Sequence, residues 1–211
     1  DLLDTYVGHY AGERIYSGQI TRGALETIQA AILMCDLRGF TALSMSRRML
    51  SVVELLNAWF DCIANAVGRH DGEILKFMGD GLLVVFRADG DFPGACRRAL
   101  AAALDARSAV AALNGERDYF GERPIDFVMG IHAGEVAYGN VGSRQRLDFT
   151  VLGPAVNYAS RLQDLAKRLA QPALISREFA EMAPGEFRDL GVHPLRGIGK
   201  AEQVYALPSM T

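Results

Sequence analysis

The sequence of 211 residues contains little cysteine and little proline, with three Cys and seven Pro. Cys35, Cys62 and Cys96 are scattered through apolar stretches without any CxxC spacing. This pattern argues against a disulfide framework and favours a reducing, cytoplasmic compartment. The four histidines are scattered as well, so no zinc-binding pattern is present. No continuous run approaches the ~18 apolar residues of a membrane span.

The sequence also lacks an excess of one charge, because 22 basic and 25 acidic residues give a net charge of −3. The basic residues form no patch of the kind that binds nucleic acid, so no nucleic-acid partner is expected. Half of the residues are hydrophobic, which suits one domain with a sizeable core and a short leader. The first residue is Asp rather than Met. We therefore expect a fragment from which an upstream regulatory region is absent.

Residues 1–29 are polar with spaced glycines and are predicted to be a leader or linker from an upstream region, which leaves 30–211 as the domain. Apolar patterning predicts helices at 50–67, 93–113 and 154–169. It predicts strands at 30–35, 73–78, 82–86, 125–133, 135–141 and 148–152, with a turn at Gly134, and shorter strands near 173–175, 187–190 and 203–207. Because strands and helices mix without strict alternation, we expect an α+β fold with a largely antiparallel sheet.

Two aspartates stand at predicted strand ends. Asp36 follows a buried strand, and Asp80 lies in the tight turn between two strands. Each has an ordinary structural explanation, since Asp36 could cap the next segment and Asp80-Gly81 could be only a turn. Together they indicate a site for hard divalent cations, which prefer oxygen ligands. Metal pairs ~3.5–4 Å apart are common in enzymes that act at phosphorus.

Three further polar residues stand out by their positions. Asn157 and Arg161 lie four apart on a predicted helix and therefore share one face. Arg161 could equally be a surface charge, and Asn157 an early-helix residue. Lys76 is a charge inside a predicted strand, where an edge or snorkelling lysine is the structural alternative.

Four stretches, taken in order, carry a family resemblance: MCDLRGFTALS (34–44), ILKFMGDGLLVVF (74–86), MGIHAGEVAYGNVGS (129–143) and DFTVLGPAVNYASRL (148–162). They resemble the signature regions of class III adenylate and guanylate cyclases in sequence, order and spacing. The resemblance covers about 30–207. It implies the class III cyclase fold, a ferredoxin-like βαββαβ core whose largely antiparallel sheet is flanked by helices.

The resemblance also implies catalytic roles. Asp36 and Asp80 match the aspartates that bind two divalent ions, Mg²⁺ or Mn²⁺, and the Leu37 carbonyl matches a backbone ligand of the metal. Asn157 matches the residue that orients the ribose. Arg161 matches the arginine that stabilises the transition state.

Further matches concern the phosphates of the substrate. Gly39, Phe40 and Thr41 match the turn whose backbone amides hold the triphosphate at a helix start. Arg196 resembles the basic residue that meets the terminal phosphates, although Lys200 lies close by. These residues are therefore candidates for nucleotide binding.

Base selection is predicted to depend on two positions. Lys76 matches the base-selecting lysine, and Thr150 stands where many adenylate cyclases have an aspartate. A threonine there resembles the IIIb subgroup of adenylate cyclases, whereas guanylate cyclases tend to have Glu and Cys at the two positions. Asp148 lies two residues earlier, on the same face of a strand. A shifted alignment would give Asp148 the role of Thr150.

The resemblance implies an adenylate cyclase that converts ATP to cyclic AMP in a symmetric homodimer. Each site would take Asp36 and Asp80 from one protomer. The other protomer would supply the remaining residues, which are Lys76, Thr150, Asn157, Arg161 and Arg196. A guanylate cyclase is the alternative within the family, and a catalytically silent dimerisation or sensing module is the alternative outside catalysis. A diguanylate cyclase is disfavoured, because its GGDEF run is absent.

Overall fold

The computed structural model describes residues 8–18, 21, 23–46 and 48–207. Helices and strands alternate irregularly along this part of the chain, as predicted. In chain order the elements are α1 (His9–Tyr16), β1 (Leu25–Leu37), α2 (Phe40–Ser46), α3 (Met49–Arg69), β2 (Glu73–Met78), β3 (Gly81–Arg87), α4 (Phe92–Tyr119), β4 (Phe127–Gly142), β5 (Leu147–Leu152), α5 (Pro154–Arg168), β6 (Ala173–Ser176), α6 (Arg177–Met182), β7 (Arg188–Pro194) and β8 (Ala201–Ala206).

The strands form one eight-stranded sheet in the order β2-β3-β1-β4-β6-β8-β7, with β5 paired to β4. All pairings are antiparallel except that between β4 and β6. Strands β1 to β4 form the βαββαβ core, in the order β2-β3-β1-β4. The predicted α+β fold with a largely antiparallel sheet is confirmed.

Strand β1 lies between β3 and β4 in the sheet, and both faces of the sheet are covered there. Leu33 and Cys35 face the helices α3 and α4 and pack in the same core as Trp59. Ile32 and Met34 face the opposite side and pack towards α5. A strand covered on both faces needs apolar residues at successive positions, which explains the buried run at 30–35.

Helix α5 lies directly on β4. A Cβ atom at Gly130 would stand 2.2 Å from the main-chain oxygen of Ala159, and one at Gly134 would stand 2.8 Å from the Cβ of Ala155. The two glycines therefore remove the side chains that would hold the helix away from the sheet. The predicted turn at Gly134 was wrong, because β4 runs unbroken from Phe127 to Gly142.

The sheet begins earlier in the chain than predicted. Strand β1 starts at Leu25, which pairs with Gly139 on β4. In α1, Ala11 is buried and Arg14 forms an ion pair of 2.7 Å with Glu26. Part of the predicted leader is therefore folded onto the domain, while its origin in an upstream region stays a prediction.

Helix α3 is the one described helix that could cross a membrane by length and composition alone. Six of its residues are buried against the rest of the domain, among them Trp59 and Ile63. This burial is what a core helix of a folded domain shows.

The buried imidazole of His132 lies between α5 and the end of β6. His132 on β4 makes a 2.8 Å hydrogen bond with the Ser176 hydroxyl and stacks on the ring of Tyr158, with centroids 4.2 Å apart. Burial lowers the pKa of His132 to about 4, although the nearby Glu178 opposes the shift. His132 is therefore neutral near pH 7.

Candidate active site

The structure brings Asp36 and Asp80 together, as the sequence predicts. Asp36 lies near the end of β1 and pairs with Gly81, the first residue of β3, while Asp80 occupies the turn before it. The N–H of Leu37 donates to the main-chain oxygen of Asp80 at 3.4 Å. A Cβ atom at Gly81 would stand 3.3 Å from Oδ1 of Asp36, so the glycine leaves room beside this carboxylate.

The two carboxylates influence each other electrostatically. Partial burial and the negative charge of Asp36 raise the pKa of Asp80 to about 6. Adjacent carboxylates that repel each other in this way provide the oxygen ligands and the negative charge that a divalent cation needs.

The donor set fits Mg²⁺ or Mn²⁺. Among the described residues, no group of three or more His, Cys, Asp or Glu side chains converges into a metal site. Magnesium is usually held by only one or two carboxylates together with waters and substrate phosphates. Asp36 and Asp80 satisfy this requirement, and the role of the Leu37 carbonyl as a further ligand stays a prediction.

A third charged residue, Lys167, contacts the aspartate pair and was not predicted from the sequence. Its ammonium group, in the last turn of α5, forms an ion pair with Asp36. Basic residues are common at helix carboxyl ends, where they complement the helix dipole. That ordinary explanation covers both Lys167 and Arg168, so the sequence alone gave no reason to select Lys167.

The predicted base-reading residues lie on two strands, β2 and β5, that are not paired in the sheet but are joined by an ion pair. Lys76 directly follows a shift in the pairing register between β2 and β3, and it forms an ion pair with Asp148 on β5. Thr150 is buried on β5, where it pairs with Gly139. The structure therefore gives Lys76 the charged partner Asp148 within the chain, and the part played by Thr150 stays a prediction.

Asn157 and Arg161 lie on one side of α5, as their spacing predicts. The opposite side of the helix is buried against the sheet through Ala155, Ala159 and Leu162. Asn157 is consequently exposed, and Arg161 pairs with Asp164 on its own helix at 3.2 Å. Within one chain the helix thus separates these two side chains from the sheet face that carries Asp36.

The predicted phosphate-binding residues are also at the surface. Gly39 adopts a φ of 66° just before α2, which begins at Phe40, and its oxygen accepts a 3.1 Å bond from the N–H of Leu43. Thr41 is exposed in the first turn, and Arg196 is exposed between β7 and β8. Both segments are accessible to a ligand, and their contact with phosphates stays a prediction.

Comparison with known proteins identifies relatives of this chain in sequence and in fold. The family described as "Adenylate and Guanylate cyclase catalytic domain" matches residues 24–204. An adenylate cyclase from Anabaena cylindrica is 36% identical over 158 residues, which cover 73% of this chain and 30% of the relative. The chain thus spans less than a third of that relative's length.

The solved structures that are similar to this chain are also cyclases. The adenylyl cyclase CyaB from P. aeruginosa is 26% identical with a TM-score of 0.80, and the match covers 89% of this chain and 97% of the other. The guanylyl cyclase Cya2 is 28% identical with a TM-score of 0.77, covering 89% and 95%. Since the family match extends over most of the chain, the chain belongs to the class III adenylate and guanylate cyclase catalytic domain family.

Proposed function

We propose that the chain is an adenylate cyclase domain that converts ATP to 3′,5′-cyclic AMP and pyrophosphate. The observation that carries the proposal is the meeting of the Asp36 and Asp80 carboxylates at the end of β1, in a chain of the cyclase family. A member without catalytic activity would have no need to keep two mutually repelling carboxylates side by side.

In the reaction, the ribose 3′-oxygen attacks the α-phosphorus, and the bond from that phosphorus to the bridging oxygen of the β-phosphate breaks. Pyrophosphate leaves, and the proton of the 3′-hydroxyl passes to solvent. Asp36 and Asp80, with the Leu37 carbonyl, are the residues that would hold two divalent ions, Mg²⁺ or Mn²⁺. When bound, these ions supply positive charge at the attacking and leaving oxygens.

The remaining residues orient the nucleotide and meet its charge. Asn157 would hold the ribose so that its 3′-oxygen faces the α-phosphorus, and Arg161 would stabilise the charge that develops there. The backbone amides of the turn at 39–41 and the guanidinium of Arg196 would bind the other phosphates. The surface positions of these residues are compatible with a ligand that enters from outside the chain.

The proposed active form is a symmetric homodimer. Asn157 and Arg161 project from the side of α5 that faces away from the sheet, whereas Asp36 lies on the covered sheet face. A second chain would therefore bring its Arg161 to the aspartates of the first, giving two equivalent sites. An isolated protomer is expected to be nearly inactive.

We propose ATP rather than GTP as the substrate. Lys76 only donates hydrogen bonds, and adenine presents an acceptor at N1, whereas guanine presents a donor there. The Thr150 hydroxyl could accept a bond from the adenine amino group, as in the IIIb subgroup that the sequence resembles. A guanylate cyclase is the second candidate, because the chain is also similar to the guanylyl cyclase Cya2.

We also propose a cytoplasmic location, where ATP is abundant and cysteines remain reduced. Cys35, Cys62 and Cys96 are all unpaired. Burial raises the pKa of Cys35 and raises that of Cys96 to about 12, so neither thiol is a reactive thiolate at neutral pH.

Product analysis tests the proposed function. The purified domain is incubated with ATP and with GTP, each with Mg²⁺ and with Mn²⁺, and the products are separated by chromatography. Cyclic AMP as the dominant product supports the proposal, and cyclic GMP as the dominant product replaces it with a guanylate cyclase. No cyclic nucleotide from a dimeric, folded protein would indicate the silent module.

A further inference from the structure

The ion pair between Lys167 and Asp36 joins the end of α5 to the carboxylate pair. Asp36 has the same orientation in β1 as Ile32 and Met34, whose side chains face α5. The Asp36 side chain is only 20% exposed and that of Lys167 is 37% exposed. The ammonium group thus reaches a carboxylate largely shielded from water, where ion pairs are stronger than on an open surface.

The position of Lys167 is fixed by the segment that follows β1. The guanidinium of Arg38 donates to the main-chain oxygens of Ala166 at 3.3 Å and Gln171 at 2.7 Å. Arg38 also pairs with Asp126 at 3.2 Å. Because Arg38 is two residues from Asp36, its guanidinium holds the main chain at the end of α5 close to the aspartate.

Without a metal ion, the negative charges of Asp36 and Asp80 exceed the single positive charge of Lys167. Asp36 and Asp80 bring two carboxylates into contact, and Lys167 pairs with Asp36 directly. A divalent ion bound by both aspartates requires the same carboxylate group that the ammonium contacts. The ammonium group of Lys167 and a divalent ion therefore compete for the carboxylate of Asp36. Both contact this same carboxylate group, and their positive charges repel each other.

We propose that Lys167 is the resident counter-ion of the Asp36–Asp80 pair: it offsets one of the two negative charges in the metal-free protein and is displaced from Asp36 when a divalent ion binds. Lys167 thereby weakens metal binding in the absence of nucleotide and stabilises the metal-free fold. This inference rests on the proposed role of Asp36 and Asp80 as metal ligands.

The test measures Mn²⁺ binding to the purified domain without nucleotide, by electron paramagnetic resonance of free Mn²⁺. Lys167→Met should lower the dissociation constant about three- to tenfold, as expected for removal of one charge from a partly shielded pair. Arg168→Met is the matched control, because it removes the same charge from the exposed neighbouring position. Its dissociation constant should stay within about twofold of the wild-type value.

Thermal unfolding provides an independent measurement. In EDTA, Lys167→Met should melt below the wild type, since the aspartates lose their counter-ion, and added Mn²⁺ should raise its Tm by more than it raises that of the wild type. Lys167→Gln, which keeps a polar end group, serves as the second variant if the Met variant is poorly folded. It should bind Mn²⁺ more tightly than the wild type as well.

The variant Asp36→Asn distinguishes a failure of the counter-ion role from a failure of the proposed metal site. If Asp36→Asn abolishes Mn²⁺ binding while both Lys167 variants bind Mn²⁺ no more tightly than the wild type, the counter-ion role is wrong and the metal ligands stand. If Asp36→Asn binds Mn²⁺ like the wild type, the proposed metal site is wrong and the counter-ion role falls with it.

Discussion

Lys76 on β2 forms an ion pair with Asp148 on β5, although these strands are not neighbours in the sheet. The pair connects the predicted base-reading lysine to the strand that carries Thr150. In the proposed cyclase, we therefore expect Asp148 to act as a positioning residue that holds the ammonium group of Lys76 in place before the nucleotide binds.

Asp148→Asn should weaken the preference for ATP. The lysine loses its charged partner, so its donation to adenine N1 becomes less well directed, whereas guanine gains nothing from the lysine. We expect kcat/KM for ATP to fall about three- to tenfold with a smaller change for GTP. Steady-state kinetics with both nucleotides measures the ratio, and Thr150→Val tests the second position alongside. An unchanged ratio in Asp148→Asn would remove the positioning role.

Asp36→Asn and Asp80→Asn should each reduce kcat at least ~100-fold at saturating Mn²⁺, because each removes charge from the site proposed to hold the metal ions. Circular dichroism should show an intact fold for both variants. Asp105→Asn is the control, since Asp105 forms its ion pairs with Arg69 and His70. Substantial activity in either active-site variant would contradict the two-metal assignment.

Gly130→Ala should destabilise the domain by ~2–4 kcal/mol. The added Cβ would stand 2.2 Å from the oxygen of Ala159 and 2.4 Å from the nitrogen of Gln163, so α5 must move as a body. Gly115→Ala in α4 is the control, because its Cβ meets nothing within 4 Å and alanine favours a helix. Urea unfolding should show a loss for the first variant and a small gain for the second.

The stability of the domain should fall as the pH drops from about 6.5 towards 4 because of His132. Its pKa is lowered from 6.5 to about 4 in the folded state. Between these two pH values, His132 is therefore protonated in the unfolded chain and neutral in the folded chain. This residue should account for up to about 3 kcal/mol of the loss below pH 4. Urea unfolding at a series of pH values should give a shallower dependence for His132→Asn. Equal slopes in both proteins would show that His132 is not kept neutral by the fold.

The sequence predicted the structure correctly where a local residue pattern and the tertiary packing have the same physical cause. The buried run at 30–35 follows from coverage of β1 on both faces, and the turn that carries Asp80 follows from the two flanking strands. The helix spacing likewise placed Asn157 and Arg161 on one side of α5. In each case the local pattern and the tertiary packing require the same residues.

The sequence misled where a residue serves a distant partner. Gly134 indicated a turn, yet its small size is explained by contact with Ala155 on α5. Lys167 was not predicted as a site residue, because its pairing with Asp36 joins positions 131 residues apart. Such contacts depend on how α5 lies on the sheet, and no short-range pattern reports that arrangement.

The most direct test of the composite-site cyclase is complementation between two inactive variants. Asp36→Ala and Arg161→Ala are each expected to form almost no cyclic AMP. A heterodimer of the two has one site with both aspartates and Arg161 intact. After equal mixing and subunit exchange, activity should therefore return to about a quarter of the wild-type value. If differently tagged subunits are shown to exchange and no cyclic AMP forms, the account of a site shared between two chains is contradicted.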